Sequence, residues 1–380
     1  MRRSTIRLSA TAAVATILAT ACSTGPHPAT ERPKIIAALN KLVFTDHLPG
    51  AQLVLTEHGK VWTATAGVGD LELNTPFPDN ARIRIASNTK TFVATVVLQL
   101  TAEGKVELDA PVARYLPGVV HGPGIDGDRI TVRNLLQHTS GLPDYAAEVG
   151  GEPLPGQVDY TGERARWRTA DPAEIVRDAL TAPADFAPGT RWSYSNTNYA
   201  LAGMVIEKIT GSTVAAEVTR RIIEPLKLPD TYYPAPDETT IRGPHPKGYS
   251  TIDGRRADYT SQNVSSAGAA GAMVATGADL NRFFTALLDG KLLPPMQLAE
   301  MKHTVPTEDP SMSYGLGLFH RSLPCGPDAW GHGGDIDGFH TRGDVAGGRA
   351  VTLTVNQVPD TDRAADDVMA AVDIALCATP

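Results

Sequence analysis

The sequence predicts an α+β (mixed α/β) fold: an antiparallel sheet flanked by helices, with an all-helical domain inserted between its two halves. Strand-like runs lie near both ends of the 380-residue chain, and helical runs fill its middle. Strands at the two ends can pair in one sheet under the terminal helices, leaving the middle as an insertion. At the junction, Ser87 and Lys90 stand three apart at the head of an apolar run, Thr91 to Leu100.

The first segment stands apart from this fold. Arg2, Arg3 and Arg7 precede a short apolar run, Leu8 to Ala19, and the small residues Ala19-Thr20-Ala21. That is the pattern of a signal peptide over residues 1–21, and the run is too short to span a membrane as a mature helix. The protein is therefore expected to be exported. Cleavage removes three arginines and no acid, moving the formal net charge from −8 to −11. Two readings of Cys22 stand. The small residues before it resemble a bacterial lipobox, which implies a lipid on Cys22 and attachment to the outer face of the cytoplasmic membrane. Ordinary cleavage at Ala21 implies a secreted protein. Residues 22–32 form a polar tether in either case.

The remaining composition is that of an ordinary globular protein, 42% hydrophobic and 20% charged. No block of five or six basic residues occurs, so nucleic acid is not an expected partner. With Cys22 at the new terminus, Cys325 and Cys377 are left, and an oxidising compartment favours a disulfide between them over two buried thiols. Such a bridge closes a loop of about 50 residues and stabilises by roughly 4 kcal/mol on the chain-entropy account.

The main domain is expected over residues 33–377, with a sheet lobe at about 33–86 and 278–377 and a helical lobe at about 87–277. Ile35, Ile36, Leu39, Leu42 and Val43 recur at helical spacing within Pro33 to His47. Ala51 to Glu57 and Lys60 to Val68 read as strands joined by His58-Gly59, a hairpin. Arg82 to Ile85 is a short strand leading into Ser87. After the Ser87 helix, Leu108 to about Gly162 is loop-rich, interrupted by a capped helical piece at Thr131 to Leu136. Asp171-Pro172 opens a helix with proline at its first position. Further helices are expected at Asn198 to Thr210 and Thr213 to Ile223. Asp279 to Leu288 and Asp362 to Ala375 bracket late strands at Tyr314 to Phe319, Ala329-Trp330, Phe339 to Arg342 and Ala350 to Asn356.

Three motifs carry chemistry. In a helix, Ser87 and Lys90 lie one turn apart on one face, near an N-terminus whose free N–H groups favour negative charge. Taken alone, Ser87 reads better as a helix cap. The run that follows is apolar nearly all round, so the helix is buried and Lys90 with it, and burial lowers a lysine's pKa and makes it a base. Tyr194-Ser195-Asn196 offers a phenol to relay a proton if cationic neighbours depress its pKa. It also offers an amide that donates to a substrate carbonyl and accepts from a lysine; a polar turn capping a helix is the alternative. Trp330-Gly331-His332-Gly333-Gly334-Asp335 lets a backbone approach a ligand closely. His320, His332 and His340 match no zinc spacing, so neither metal nor cofactor is expected.

Ser87-x-x-Lys90, Tyr194-x-Asn196 and His332-Gly333-Gly334, in that order, resemble the serine β-lactamase and penicillin-binding family, in its branch of class C β-lactamases, D-alanyl-D-alanine carboxypeptidases and related esterases. Leu135-Leu136-Gln137-His138-Thr139-Ser140-Gly141-Leu142, Tyr314-Gly315-Leu316-Gly317 and Ala267-Gly268-Ala269-Ala270-Gly271 strengthen the resemblance, which runs from about residue 33 to 377. The placing of the cysteines is also similar to secreted actinobacterial carboxypeptidases.

The resemblance implies a β-lactamase/transpeptidase-like fold and an acyl-enzyme on Ser87, with Lys90, Tyr194, Asn196 and His332 as catalytic partners. It implies a substrate edge at Gly333, Gly334 and Asp335, with Phe319 and Trp330 beside it and the N–H groups of Ser87 and Asp335 as the oxyanion hole. A small-molecule or peptide substrate (a peptidoglycan stem peptide, a β-lactam or an ester) and a monomer are expected. A broad esterase, or a penicillin-binding sensor without turnover, is the alternative. Carboxypeptidases of this branch carry hydroxyls where Gly333 and Asp335 stand, and can carry an arginine where Phe319 stands; Arg321 and Arg342 are the candidates to replace it.

Overall fold

The protein is described by a computed structural model covering residues 32–146, 148–149, 152–153 and 159–378. The signal segment, Cys22 and the tether up to residue 31 lie outside the described residues.

The first helix, α1 (Arg32–Phe44), buries Ile35, Leu39 and Leu42 at helical spacing. It packs on the hairpin of β1 (Gly50–Glu57) and β2 (Lys60–Gly67), which pair from Gly50 opposite Gly67 to Glu57 opposite Lys60. β2 is an edge strand and alternates exposed with partly buried residues, whereas β1 is buried along most of its length, with strands on both sides and helices against it. The chain then leaves the sheet through β3 (Arg82–Arg84) and enters α2 (Thr89–Ala102), in which every residue from Thr89 to Leu98 is buried. Such all-round burial makes α2 the axis of the helical lobe.

That lobe contains α3 (Val132–Gln137), α4 (Pro172–Ala179) and α5 (Asn196–Thr210). Thr131 and Asn134 cap α3 reciprocally, and Asp171 accepts from the N–H groups of Ala173 and Glu174 at the start of α4. The expectation of an all-helical insertion needs correction. Among the described residues the region also holds small antiparallel pairs at 121–126, at 148–149 with 152–153, and at 249–258, and β4 (Val274–Thr276) returns to pair with β3. These pairs are two to four residues per strand, too short to leave a periodic signal.

α6 (Gly277–Leu288) covers the inner sheet face, and α7 (Asp362–Cys377) joins α1 on the outer face. The late strands are β5 (Val305–Pro306), β6 (Met312–Tyr314), β7 (Phe319–Ser322), β8 (Asp328–Ile336), β9 (Phe339–Ala346) and β10 (Arg349–Val355). The eight-stranded antiparallel sheet runs β5-β6-β7-β8-β9-β10-β1-β2, and Leu53 opposite Leu353 closes its two ends together. Tyr314 to Phe319, expected as one strand, is a turn between two, with Gly317 at φ 77°. Ala329-Trp330 proves part of the much longer β8. Cys325 and Cys377 form a disulfide with Cα atoms 5.7 Å apart, tying the end of α7 to the β7–β8 connection.

Candidate active site

β8 decides the position of the site. Its pairing with β7 stops at Gly331, while its pairing with β9 continues to Ile336. Residues 332–336 therefore present one free edge, and it faces the turn Ala86–Asn88 at the head of α2. The approach is close. A Cβ on Gly334 would stand 2.8 Å from the Ser87 nitrogen and collide with the Ile85 carbonyl. Only glycine lets these two backbones meet. Ala86, in the same turn, holds φ 46°, a left-handed value that costs a non-glycine residue about 1 kcal/mol. Ser87 thus sits on a constrained turn just before α2, with Asn88 rather than Ser87 at the cap position.

Lys90 follows one turn later and is fully buried. Its Nζ donates to Ser87 Oγ at 3.0 Å, to Asn196 Oδ1 at 2.7 Å and to the Ala270 carbonyl at 2.9 Å. Burial lowers its pKa from 10.5 to about 7, against an opposing pull from Asp144. A lysine so placed is neutral often enough at pH 7 to accept the Ser87 proton.

α5 begins at Asn196, two residues earlier than its periodicity suggests, with Ser195 in extended conformation before it. This places Asn196 in the first turn, beside Lys90. Tyr194 hydrogen-bonds the Ser87 side chain, and its ring lies 4.7 Å from the Lys90 Nζ and 4.3 Å from the His138 ring. The expected depression of the Tyr194 pKa does not occur. Burial pushes the phenol well above its usual value, and the neighbouring Tyr199, Asp144 and Asp335 add to the rise. Tyr194 is a neutral hydroxyl here, able to pass a proton but not to persist as an anion.

His332 is buried. Its Nδ1 lies 2.6 Å from the Gly333 carbonyl, which can only accept, so the proton is on Nδ1 and Nε2 accepts from the Tyr314 hydroxyl at 3.0 Å. Desolvation lowers its pKa to about 3. At neutral pH His332 is therefore uncharged, and it supports the aromatic wall through Tyr314 and Phe319 rather than aiding Tyr194 with a charge.

A cleft of about 550 Å³ opens beside Ser87, lined among others by Asn196, Tyr145, Tyr160, Gly271 and Asp335. Phe319 and Trp330 are not part of it. Phe319 packs on Tyr314 and His332, and Trp330 on His320 beneath Lys302. Of the two candidate arginines, Arg321 is engaged elsewhere. Arg321 binds Asp344 at 3.0 Å and pairs with Asp373. Arg342 lies against Gly333, on the sheet face opposite Gly334 and Ser87. Asp335 places a carboxylate at the rim, bonded to His340 Nδ1.

Two further residues were not singled out in the sequence. His138, at φ 58° on the end of α3, accepts at Nδ1 from the Ser195 N–H at 3.2 Å and backs Tyr194. Asp144 accepts from the Asn196 backbone N–H at 3.0 Å and from Asn196 Nδ2 at 3.1 Å. A carboxylate following Leu142-Pro143 in an apolar stretch was the available signal for Asp144, but its partner lies 52 residues away.

The beta-lactamase family model matches residues 34–376. The chain belongs to the beta-lactamase family. Among solved structures, a D-stereospecific amidohydrolase from Streptomyces sp. is 38% identical, with a TM-score of 0.80 over 93% of this chain and 100% of that one. A D-amino acid amidase from Ochrobactrum anthropi SV3, complexed with L-phenylalanine amide, is 30% identical, with a TM-score of 0.79 over 92% and 98%. Esterase EstB of Burkholderia gladioli is 33% identical over 221 residues, 57% of this chain and 55% of the esterase. The chain thus spans about half the length of that relative, and 35% of protein flp of Staphylococcus aureus, to which it is 26% identical. Ser87 and Lys90 accordingly stand in a chain of the beta-lactamase family.

Proposed function

We propose that the protein is an exported serine amidohydrolase that forms an acyl-enzyme on Ser87 from small D-amino-acid amides and esters. The observation that carries this reading is Lys90 Nζ held 3.0 Å from Ser87 Oγ, in surroundings that bring its pKa to about 7. Ser87 Oγ attacks the carbonyl carbon as its proton passes to the neutral Lys90. The N–H groups of Ser87 and Asp335 receive the oxyanion, at about 3 kcal/mol for each donor. Lys90 returns the proton through the Tyr194 hydroxyl to the leaving amine or alkoxide. Asn196 spends Oδ1 on Lys90 and one N–H on Asp144, leaving its second N–H for the substrate. Water then attacks the acyl-enzyme by the same path in reverse.

The rim favours substrates without a terminal carboxylate. The positions at which carboxypeptidases of this branch hold one carry Gly333, Asp335 and Phe319, without hydroxyl or guanidinium, and the Asp335 charge repels it. This supports an amidase or esterase over a D-alanyl-D-alanine carboxypeptidase, and the D-specific relatives support the stereochemistry.

The purified protein should release ammonia from D-phenylalanine amide faster than from the L-amide and should cleave a p-nitrophenyl ester; Ser87→Ala should do neither. Faster D-alanine release from diacyl-lysyl-D-alanyl-D-alanine would transfer the assignment to a carboxypeptidase, and nitrocefin turnover alone to a β-lactamase. A stable penicillin adduct without turnover would indicate a sensor. Export is part of this proposal, and the mass of the mature N-terminus separates a lipid on Cys22 from cleavage alone.

A further inference from the structure

A terminal amide has two ends of similar shape, and which end faces a lysine is set by the group behind it. Behind Asn196 stands Asp144. Its Oδ2 lies 3.1 Å from Asn196 Nδ2, and its Oδ1 accepts from the N–H groups of Asn196 at 3.0 Å and Ala146 at 3.1 Å. An ionised carboxylate can only accept, so it compels the Asn196 NH₂ toward itself and the Asn196 Oδ1 toward Lys90. Burial raises its pKa, while the three N–H donors and Lys90 pull toward the carboxylate form, and all three contacts require it to accept.

We propose that Asp144 is a positioning residue for acylation: it fixes the face of the Asn196 amide and supplies the negative charge that balances Lys90. The inference rests on Ser87 as nucleophile and Lys90 as its base.

The other surroundings of Lys90 offer no anion in place of Asp144. Ser87 lies on its own turn and the Ala270 carbonyl behind it. The rings of Tyr194 and Tyr199 flank it at 4.7 and 5.6 Å. His138 and His332, whose pKa values are both lowered by burial, are the nearby imidazoles. Asp335 is bonded to His340 and is not among the groups that act on Lys90.

The consequence is specific. In Asp144→Asn, an NH₂ replaces Oδ2 and faces the Asn196 NH₂, donor against donor. The Asn196 amide must turn over and present N–H to Lys90. Lys90 then loses both an acceptor and a nearby charge, each of which favoured its ammonium form. Exchanging the two residues, Asp144→Asn with Asn196→Asp, restores the pattern: the new carboxylate accepts from residue 144 and from Lys90, with the charge now closer to the lysine.

The test is the pH profile of kcat/KM with a p-nitrophenyl ester on the full chain, wild type beside both variants and Ser87→Ala. Asp144→Asn should lose about tenfold or more at pH 7.5, with its acid limb shifted down by about half a unit or more. The exchange should regain at least about tenfold over Asn196→Asp alone, with its acid limb above that of the wild type. A structural role alone would lower rates without ordering the limbs. Coincident or reversed limbs, or an exchange no better than Asn196→Asp, overturn the proposal. If Asp144→Asn does not fold, the exchange against Asn196→Asp and wild type decides. Turnover retained in Ser87→Ala would instead overturn the site reading beneath it.

Discussion

Lys90 Nζ and Asn196 Oδ1 lie 2.7 Å apart, although 106 positions separate the residues in the chain. This bond joins the first turn of α5 to the first turn of α2. It leaves a buried lysine with three acceptors, Ser87 Oγ, Asn196 Oδ1 and the Ala270 carbonyl, all within 3.0 Å.

The pKa of Lys90 predicts the form of the pH dependence. Activity requires the neutral amine, so kcat/KM for an ester should rise with pH through about 7. It should show no descending limb as far as about pH 9, since burial keeps the Tyr194 phenol protonated. Stability follows the same proton. Between about 7 and 10.5 the unfolded lysine is charged and the folded one is not, so folding becomes more favourable as pH rises across that window. Lys90→Arg, which cannot shed its proton, should be inactive throughout. A bell-shaped profile centred near pH 7 would contradict this assignment.

Gly334→Ala should damage the site through its backbone. The added methyl would meet the Ser87 nitrogen at 2.8 Å and clash with the Ile85 carbonyl. Separating the strand edge from the nucleophile turn should slow acylation by about 10²- to 10³-fold, the cost of losing one oxyanion donor. The melting temperature should fall as well, by the equivalent of about 1–3 kcal/mol. Burst kinetics with a chromogenic ester would measure the first effect and calorimetry the second.

Replacing Asp335 by asparagine should change selectivity more than rate. The bond to His340 can persist while the charge at the rim is lost. The ratio of kcat/KM for a peptide ending in a free carboxylate to that of its amide should rise about three- to tenfold. An unchanged ratio would mean that the rim charge does not act on the substrate.

The disulfide should matter for stability alone. Cys325 and Cys377 are 52 residues apart and hold the end of α7 away from the cleft. Serine at both positions should lower unfolding stability by about 4 kcal/mol, while ester turnover at low temperature remains within about twofold. Denaturant titration with and without reductant would measure this.

Much of the fold was legible because it is written in local periodicity. The α1 pattern, the β1–β2 hairpin, the Asp171-Pro172 helix start and the Ser87–Lys90 spacing each depend on residues a few positions apart. The strand proposed at Tyr314 to Phe319 went astray because β-prone residues flank a glycine whose φ of 77° makes a turn. Trp330 was expected near the substrate because it neighbours the third motif, and Phe319 because it stands where relatives can carry an arginine on the preceding strand. The twist and pairing of β7 and β8 instead turn both into packing around Tyr314 and His320.

By itself the sequence determined that a serine and a lysine share one face of a buried helix, since an i, i+3 spacing needs no tertiary information. It also narrowed the cysteines to one internal pair. Only the tertiary structure decided that Tyr194 stays a phenol, that His332 turns to Tyr314, that Arg321 is tied to Asp344 and Asp373, and that Asp144 holds the Asn196 amide. Each of these depends on desolvation or on partners far along the chain, and both arise only when the two lobes close around α2.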